Sequence, residues 1–295
     1  METPFAQVDA FAHGPFTGNP AAVCVLDAAH PFREDAGWMQ RVAEEMNLSE
    51  TAFVEPTGSE GDAADGSGSR WKLRWFTPAA EVELCGHATL ASAHLLWESG
   101  RAPHDAAIVF ATRFSGELAC RRTDEGRLAM DFPADVFEDV RDPPPRLLET
   151  MGVTQESLVA VARGKYDWLV EVASPRAVVE LLPDFAALRR FDSRGFAVTA
   201  WGRGEATEAE LRAKGLPACD AVSRFFAPRM RIDEDPVTGS LHCLLGPWWQ
   251  RRRNVDTIEA YQASKRGGRL AVTTRGDRVE LAGHAVTVAR GKLLH

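Results

Sequence analysis

Residues 74–97 read RWFTPAAEVELCGHATLASAHLLW, and residues 224–249 read RFFAPRMRIDEDPVTGSLHCLLGPWW. Each stretch starts with an arginine and two aromatic residues, passes through a proline and an acidic loop, and reaches a glycine that opens an apolar helix. Phe76 to Gly86 is 10 residues and Phe226 to Gly239 is 13. Strand, loop, glycine and helix in the same order twice predict a duplicated lobe, each copy one helix wrapped by its own sheet.

The flanking sequence agrees. FAQVDAF, AAVCVL, TAFVEP and KLRWFT carry strand signals in the first quarter, with a helix expected in REDAGWMQRVAEEM between the second and third. The polar, glycine-rich segment 58–69 reads as a mobile connection between two strands. IVFATR continues as a strand, and GELACRRTDEGRLAMDFP is a hairpin turning at Asp124-Glu125-Gly126. In the second half YDWLVEVAS and GFAVTAWG are strands, and Ser174-Pro175 starts a helix. Thr207-Glu208-Ala209-Glu210 reads as a capping box for a helix ended by Gly215, and the tail GRLAVTTRGDRVELAGHAVTVARG as a β-meander. The class is α+β with mostly antiparallel strands. No GxGxxG follows a strand, which argues against a dinucleotide fold. The lobes are expected to divide as 1–113 and 114–283, the last strand, about 284–295, returning to the first.

The paired helix starts, Gly86-His87 and Gly239-Ser240, lack the usual Ser or Asp cap. A glycine lets a ligand approach the backbone, and the first free N–H groups with the helix dipole hold an anion without Lys or Arg. Either glycine alone fits close backbone packing better than a ligand site; as a symmetric pair they point to a small-carboxylate cleft between the lobes. Glu50, in NLSETAFV, stands at the rim of an apolar strand, where an acid can exchange a proton with carbon. Glu81 and Glu83 flank the first helix start and compete for that role. Asp235, before Pro236, fits substrate binding or plain turn chemistry, and Asn19 in TGNPAAV fits an amide contact or a routine turn. His94 and His242, inside apolar helices, read as core residues.

Other chemistries fit poorly. No HExxH and no clustered Cys/His spacing supports a metal. Ser240 lacks the G-x-S-x-G elbow, so a His87–Asp235–Ser240 hydrolase is weak. Cys85 beside a helix start is a candidate for a lowered pKa, although its side chain need not face the cleft. Net charge is −8, from 34 basic and 42 acidic residues, so no field draws the chain to nucleic acid or anionic lipid. Arg251-Arg252-Arg253 reads as the solvated end of a helix. With no signal-like segment, no bilayer-length apolar run and five cysteines without CxxC spacing, the expected place is the cytoplasm.

Together DAFAHGPFTGNPAAVCVL, EMNLSETAFV, LRWFTPAAEVELCGHATLA, DEDPVTGSLHC and YQASKRGG resemble the PhzF family, the phenazine-biosynthesis-like isomerases, from residue 8 to 268. That family shares its two-lobed fold with diaminopimelate epimerase and proline racemase. The resemblance implies Glu50 as catalytic acid/base, with His87 and Asp235 binding or polarising substrate. It also implies Gly86, Gly239, Ser240 and Asn19 as cleft residues, no cofactor, and a homodimer as a compatible state. QASKRGG matches a family motif without an assigned role. The related racemases carry a cysteine at each helix head, and no symmetric pair is evident here, which favours a carboxylic-acid shuttle. Two alternatives stay open: an amino-acid racemase or epimerase using Cys85 or another second base, and a non-catalytic carboxylate-binding protein.

Overall fold

The computed structural model describes residues 2–57 and 69–294, so the connection expected at 58–69 lies, except for Ser69, outside the described residues. Two compact units emerge: the chain up to Asp131 together with Ala282 onward, and Phe132–Leu281. The first unit runs β1 (Glu2–Ala10), β2 (Asn19–Val25), α1 (Ala36–Met46), β3 (Glu50–Pro56), β4 (Ser69–Phe76), β5 (Glu81–Val82), α2 (Gly86–Glu98), β6 (Ile108–Thr112), β7 (Glu117–Arg122) and β8 (Leu128–Pro133). The second runs β9 (Phe137–Asp139), α3 (Leu147–Met151), β10 (Leu158–Gly164), β11 (Asp167–Val172), α4 (Pro175–Val179), α5 (Phe185–Leu188), β12 (Gly195–Trp201), α6 (Glu205–Ala213), β13 (Ala221–Phe226), α7 (Gly239–Arg253), β14 (Thr257–Gln262), β15 (Gly268–Arg275) and β16 (Arg278–Gly283). β17 (Ala285–Leu294) then pairs antiparallel with β1, as the returning last strand was expected to do. The first junction falls at Asp131 and not at residue 113, because β7 pairs with β6 and β8 with β7.

The duplication is written in the ladders. In the first unit β1–β2 is antiparallel, β2–β3 parallel, β3–β4 antiparallel, β4–β6 parallel and β6–β7 antiparallel. In the second, β10–β11, β11–β12, β12–β13, β13–β14 and β14–β15 repeat those senses in that order. A parallel step needs a crossover, which is where the helices fall: α1 and α2 in one unit, α4 with α5 and then α7 in the other.

Local chemistry sets the ends. Asp35 caps α1 by accepting from the Trp38 N–H at 2.9 Å, and Asn47 closes it in the left-handed region. Trp38, Met39, Val42 and Ala43 bury that helix among Cys24, Leu26, Phe53 and Phe76. Ser174 caps α4, as expected. α6 starts at Glu205, so the expected capping box is corrected: Gly204 is the cap, and Thr207 already lies in the first turn, its hydroxyl donating to the Gly204 carbonyl at 2.9 Å. α2 is buried almost all round, from His87 to Trp97, and packs on β1, β2, β3 and β17. α7 carries Pro247, which frees the Cys243 carbonyl four residues back; the Asp135 N–H takes it at 3.0 Å. A Cβ at Gly246 would come within 2.6 Å of the Thr274 hydroxyl, so only glycine lets α7 lie this close to β15. Among the described residues no helix is long and apolar enough to cross a membrane.

Candidate active site

Both helix starts are bare. Cys85 precedes α2 and Thr238 precedes α7, and neither side chain caps its helix. At α2 the fold gathers three reactive side chains. β3 delivers Glu50 as its first residue, held beside Ala21 of β2, and Thr51 pairs with Phe76 of the aromatic motif. Glu50 Oε2 lies 3.0 Å from His87 Nε2, and Cys85 Sγ lies 3.5 Å from His87 Nδ1. The Glu50 and His87 side chains are only 14% and 8% exposed. Burial pushes the His87 pKa down, but Cys85 and the Glu50 carboxylate outweigh it, and the imidazole ends well above its ordinary value. Burial raises the Cys85 thiol and the nearby Glu50 charge adds to the rise, against a lowering pull from His87, so its pKa lies above the ordinary value and not below it as the helix position suggested.

The loop into α2 is pinned twice. Arg74 forks onto Glu81 with bonds of 2.7 and 2.9 Å, and the Ser115 hydroxyl donates to the Glu83 carbonyl at 2.8 Å. Burial would raise Glu81, yet Arg74 and Arg113 hold it below the usual carboxylate range, which makes it a structural acid. Glu83 is exposed. Asn19 is fully buried at the start of β2, two residues before Glu50's ladder partner.

The second unit repeats the pins. Arg224 forks onto Glu234 at 2.7 and 3.0 Å, and the Ser264 hydroxyl donates to the Pro236 carbonyl at 2.8 Å. Glu83 and Pro236 each stand two residues before the helix-capping position, so the two serines do the same work. Ser264 belongs to QASKRGG, and Gln262 of that motif accepts from the Thr238 N–H at 2.9 Å and donates to the Asp235 carbonyl at 2.8 Å. The motif therefore holds the shape of the loop that carries Asp235. The Asp235 carboxylate accepts from the Thr238 hydroxyl. Arg194, a residue that sequence reasoning missed, donates to Ser240 Oγ at 3.0 Å while its Nε donates to the buried Asp167 at 2.9 Å. Those partners are 46 and 27 residues away, so no local pattern could announce it. Ser240 thus neighbours a guanidinium, which cannot serve as a base.

His242 is a core residue, as expected, whereas His94 is only half-buried, its ring 3.7 Å from the Glu98 carboxylate. His242 Nδ1 lies 2.8 Å from the Thr238 carbonyl, and burial lowers its pKa to about 4. His94 Nε2 lies 3.2 Å from the Thr287 hydroxyl, and burial lowers it as well.

Comparison with known proteins gives this geometry its context. The family model described as phenazine biosynthesis-like protein, PhzC-PhzF, matches residues 8–291. An uncharacterized isomerase of Halalkalibacterium halodurans is 45% identical, over 100% of this chain and 99% of its own. The crystal structure of a PhzF-family phenazine biosynthesis protein of Enterococcus faecalis is 36% identical, with a TM-score of 0.84 and full coverage of both chains. A hydroxyproline epimerase of Agrobacterium vitis is 10% identical over 99% of this chain and 91% of that one, with a TM-score of 0.56, a likeness of fold alone. The family model spans nearly the whole chain and curated relatives that align end to end are named isomerases: the chain is an isomerase and belongs to the PhzF family of phenazine biosynthesis-like proteins.

Proposed function

We propose that this isomerase moves a proton, and with it a double bond, in a small carboxylate-bearing metabolite, using Glu50 as the acid/base and His87 as its partner. The observation that carries the reading is the 3.0 Å contact between Glu50 Oε2 and His87 Nε2 at the uncapped start of a buried helix. A carboxylate on the free amides of Gly86 and His87 would satisfy donors that no side chain takes. Glu50 would then remove a proton from the adjacent activated carbon and return it elsewhere on the same face, and His87 would steady the transient charge. Asp235, Gly239 and Ser240, with Asn19 in the first unit, are the remaining candidates for substrate contact. Arg194 beside Ser240 makes the α7 head a second anion-holding position. The proton returns to the substrate, so the step is balanced without a cofactor.

General acid–base help of this kind is worth about 10²–10⁴-fold. Turnover by Glu50→Gln on a substrate found by screening small carboxylates should fall by that factor, and full activity would end the assignment. A second reading has one observation behind it: Cys85 Sγ at 3.5 Å from His87 Nδ1 supplies a second proton-bearing group for racemisation. Turnover in D₂O separates the two. Racemisation gives inverted centres carrying deuterium, whereas the shuttle relocates a double bond and leaves no inverted product.

A further inference from the structure

We propose that Glu50, Cys85 and His87 form a chelate for a thiophilic divalent ion, with Zn²⁺ the best match, and that metal occupancy and proton transfer at this site exclude one another. The second half rests on the acid/base reading above; the first stands on geometry alone. One donor atom from each of the three residues falls within 4.8 Å of the others, and no other such group of three occurs among the described residues. Cys85 Sγ to His87 Nε2 is 4.0 Å and His87 Nε2 to Glu50 Oε2 is 3.0 Å. Tetrahedral zinc with bonds of about 2.3 Å to sulfur and 2.0–2.1 Å to nitrogen or oxygen needs edges of roughly 3.6 and 3.4 Å. The remaining adjustment, about an ångström at most, is within reach of side-chain rotation.

Three further features favour an ion here. The donors are a soft thiol, an imidazole and a carboxylate, the set that prefers zinc over magnesium or calcium. They come from rigid places, since Cys85 is fixed at an extended capping position, His87 in the first helical turn and Glu50 at a strand start. A thiolate and a carboxylate also neutralise a dication, so the complex carries no net charge into a buried site. Among the described residues Glu50 forms its ion pair with His87 and with no Lys or Arg, so no Lys or Arg side chain has to be displaced. Binding takes two protons, one from the Cys85 thiol and one from the His87 ring that Glu50 holds protonated, and releases both to solvent. The sequence hid this site because two donors sit at i and i+2 around a helix start and the third lies on another element.

The test uses tag-free, chelator-treated full-length protein titrated with Co²⁺, then with Zn²⁺. The expected result is one Co²⁺ per chain with a thiolate charge-transfer band in the near ultraviolet, bleached by Zn²⁺. Cys85→Ser should abolish the band, Glu50→Gln should weaken affinity about 10-fold or more, and Cys219→Ser should change neither. Circular dichroism confirms that each variant is folded. Absence of the band, or its persistence in Cys85→Ser, overturns the metal site. A second arm follows turnover with and without Zn²⁺. Zinc bound but turnover unchanged overturns the exclusion and, with it, the Glu50 reading, while the chelate itself stands.

Discussion

At the head of α2, Arg74 grips Glu81 and Ser115 holds the Glu83 carbonyl; at the head of α7, Arg224 grips Glu234 and Ser264 holds the Pro236 carbonyl. The scaffolds match almost bond for bond. Arg74 and Arg224 even lie over the second aromatic residue of their motifs, 5.2 and 5.0 Å from the rings of Phe76 and Phe226. What differs is the side chains that the scaffolds present. The first head offers a thiol, an imidazole and a carboxylate, all able to gain or lose a proton. The second offers Thr238 and Ser240 hydroxyls tied to Asp235 and Arg194, groups suited to holding charge. Duplication preserved the backbone that exposes free amides and let the chemistry diverge, and the function proposed above gives proton transfer to the α2 head and charge-holding to the α7 head.

The largest expected effect tests that assignment. Glu50→Gln should lower kcat about 10²–10⁴-fold. Ser240→Ala should instead raise KM, by about 10-fold for one lost hydrogen bond to a charged ligand, with kcat little changed. Steady-state kinetics on one substrate decide. If Ser240→Ala lowered kcat as strongly as Glu50→Gln, the division of labour would be wrong.

The next test breaks the scaffold instead of the chemistry. Both forks are largely buried, and removing one partner of such a pair costs about 3–5 kcal/mol. Arg224→Met should reach that range, because Arg224 also donates to the Leu181 carbonyl at 2.9 Å. Arg74→Met should cost about 1–2 kcal/mol, since Glu81 keeps Arg113 at 3.0 Å and is left paired. Urea midpoints at neutral pH measure the difference, and equal losses would show that the backbone contact and the second arginine do not matter.

The matching scaffold also explains what could be read in advance. The echo of RWFTP and RFFAP gave the duplicated lobe, because strand, loop and helix signals are local and each motif carries all three. Glu50 and His87 were legible as candidates from NLSETAF and CGHAT. The approach of Glu50 to His87 was not, since it joins a strand start to a helix start 37 residues apart and depends on the parallel register of β3 against β2. Gln262 and Ser264 stood in a recognised motif without a role because their partners, Asp235, Pro236 and Thr238, are reached only after α7 and β14 are in place. Thr207 misled as a cap because Thr-x-x-Glu is a short pattern, and Gly204 with Glu205 in the first turn begins the helix earlier.

A smaller effect separates the helices by pH. Thr89 in α2 and His242 in α7 stand at equivalent positions, four residues after the cap, and both bond the capping carbonyl: Thr89 Oγ1 donates to Cys85 at 2.6 Å and His242 Nδ1 to Thr238 at 2.8 Å. With Nδ1–H donating, His242 Nε2 is buried without a hydrogen-bond partner, so protonating it strands a charge. Its folded pKa of about 4 lies below the unfolded 6.5, so the unfolded state binds the extra proton and stability is lost as pH falls from about 6.5 toward 4. The loss is about 3 kcal/mol, since each unit of pKa shift is worth about 1.4 kcal/mol. His242→Thr, copying α2, should flatten that part of the stability–pH curve whatever it does to the neutral baseline. An unchanged acid slope would mean that other groups set it.

The smallest expected effect lies in the serine pins. Ser264→Ala removes a hydrogen bond worth about 1 kcal/mol and leaves the Pro236 carbonyl half-buried. Ser115→Ala removes the same bond from a more exposed site, where water replaces it, and should cost less than about 0.5 kcal/mol. Gln262→Leu provides the scale, because it strands the buried Thr238 N–H and should exceed both at about 2 kcal/mol. If the pins serve only stability, KM will not move in either serine variant. A KM that rises in Ser264→Ala and stays fixed in Ser115→Ala would mean that the α7 loop shapes the anchor, as its fixed-charge chemistry requires, while the α2 head is held well enough by Arg74 and its own burial.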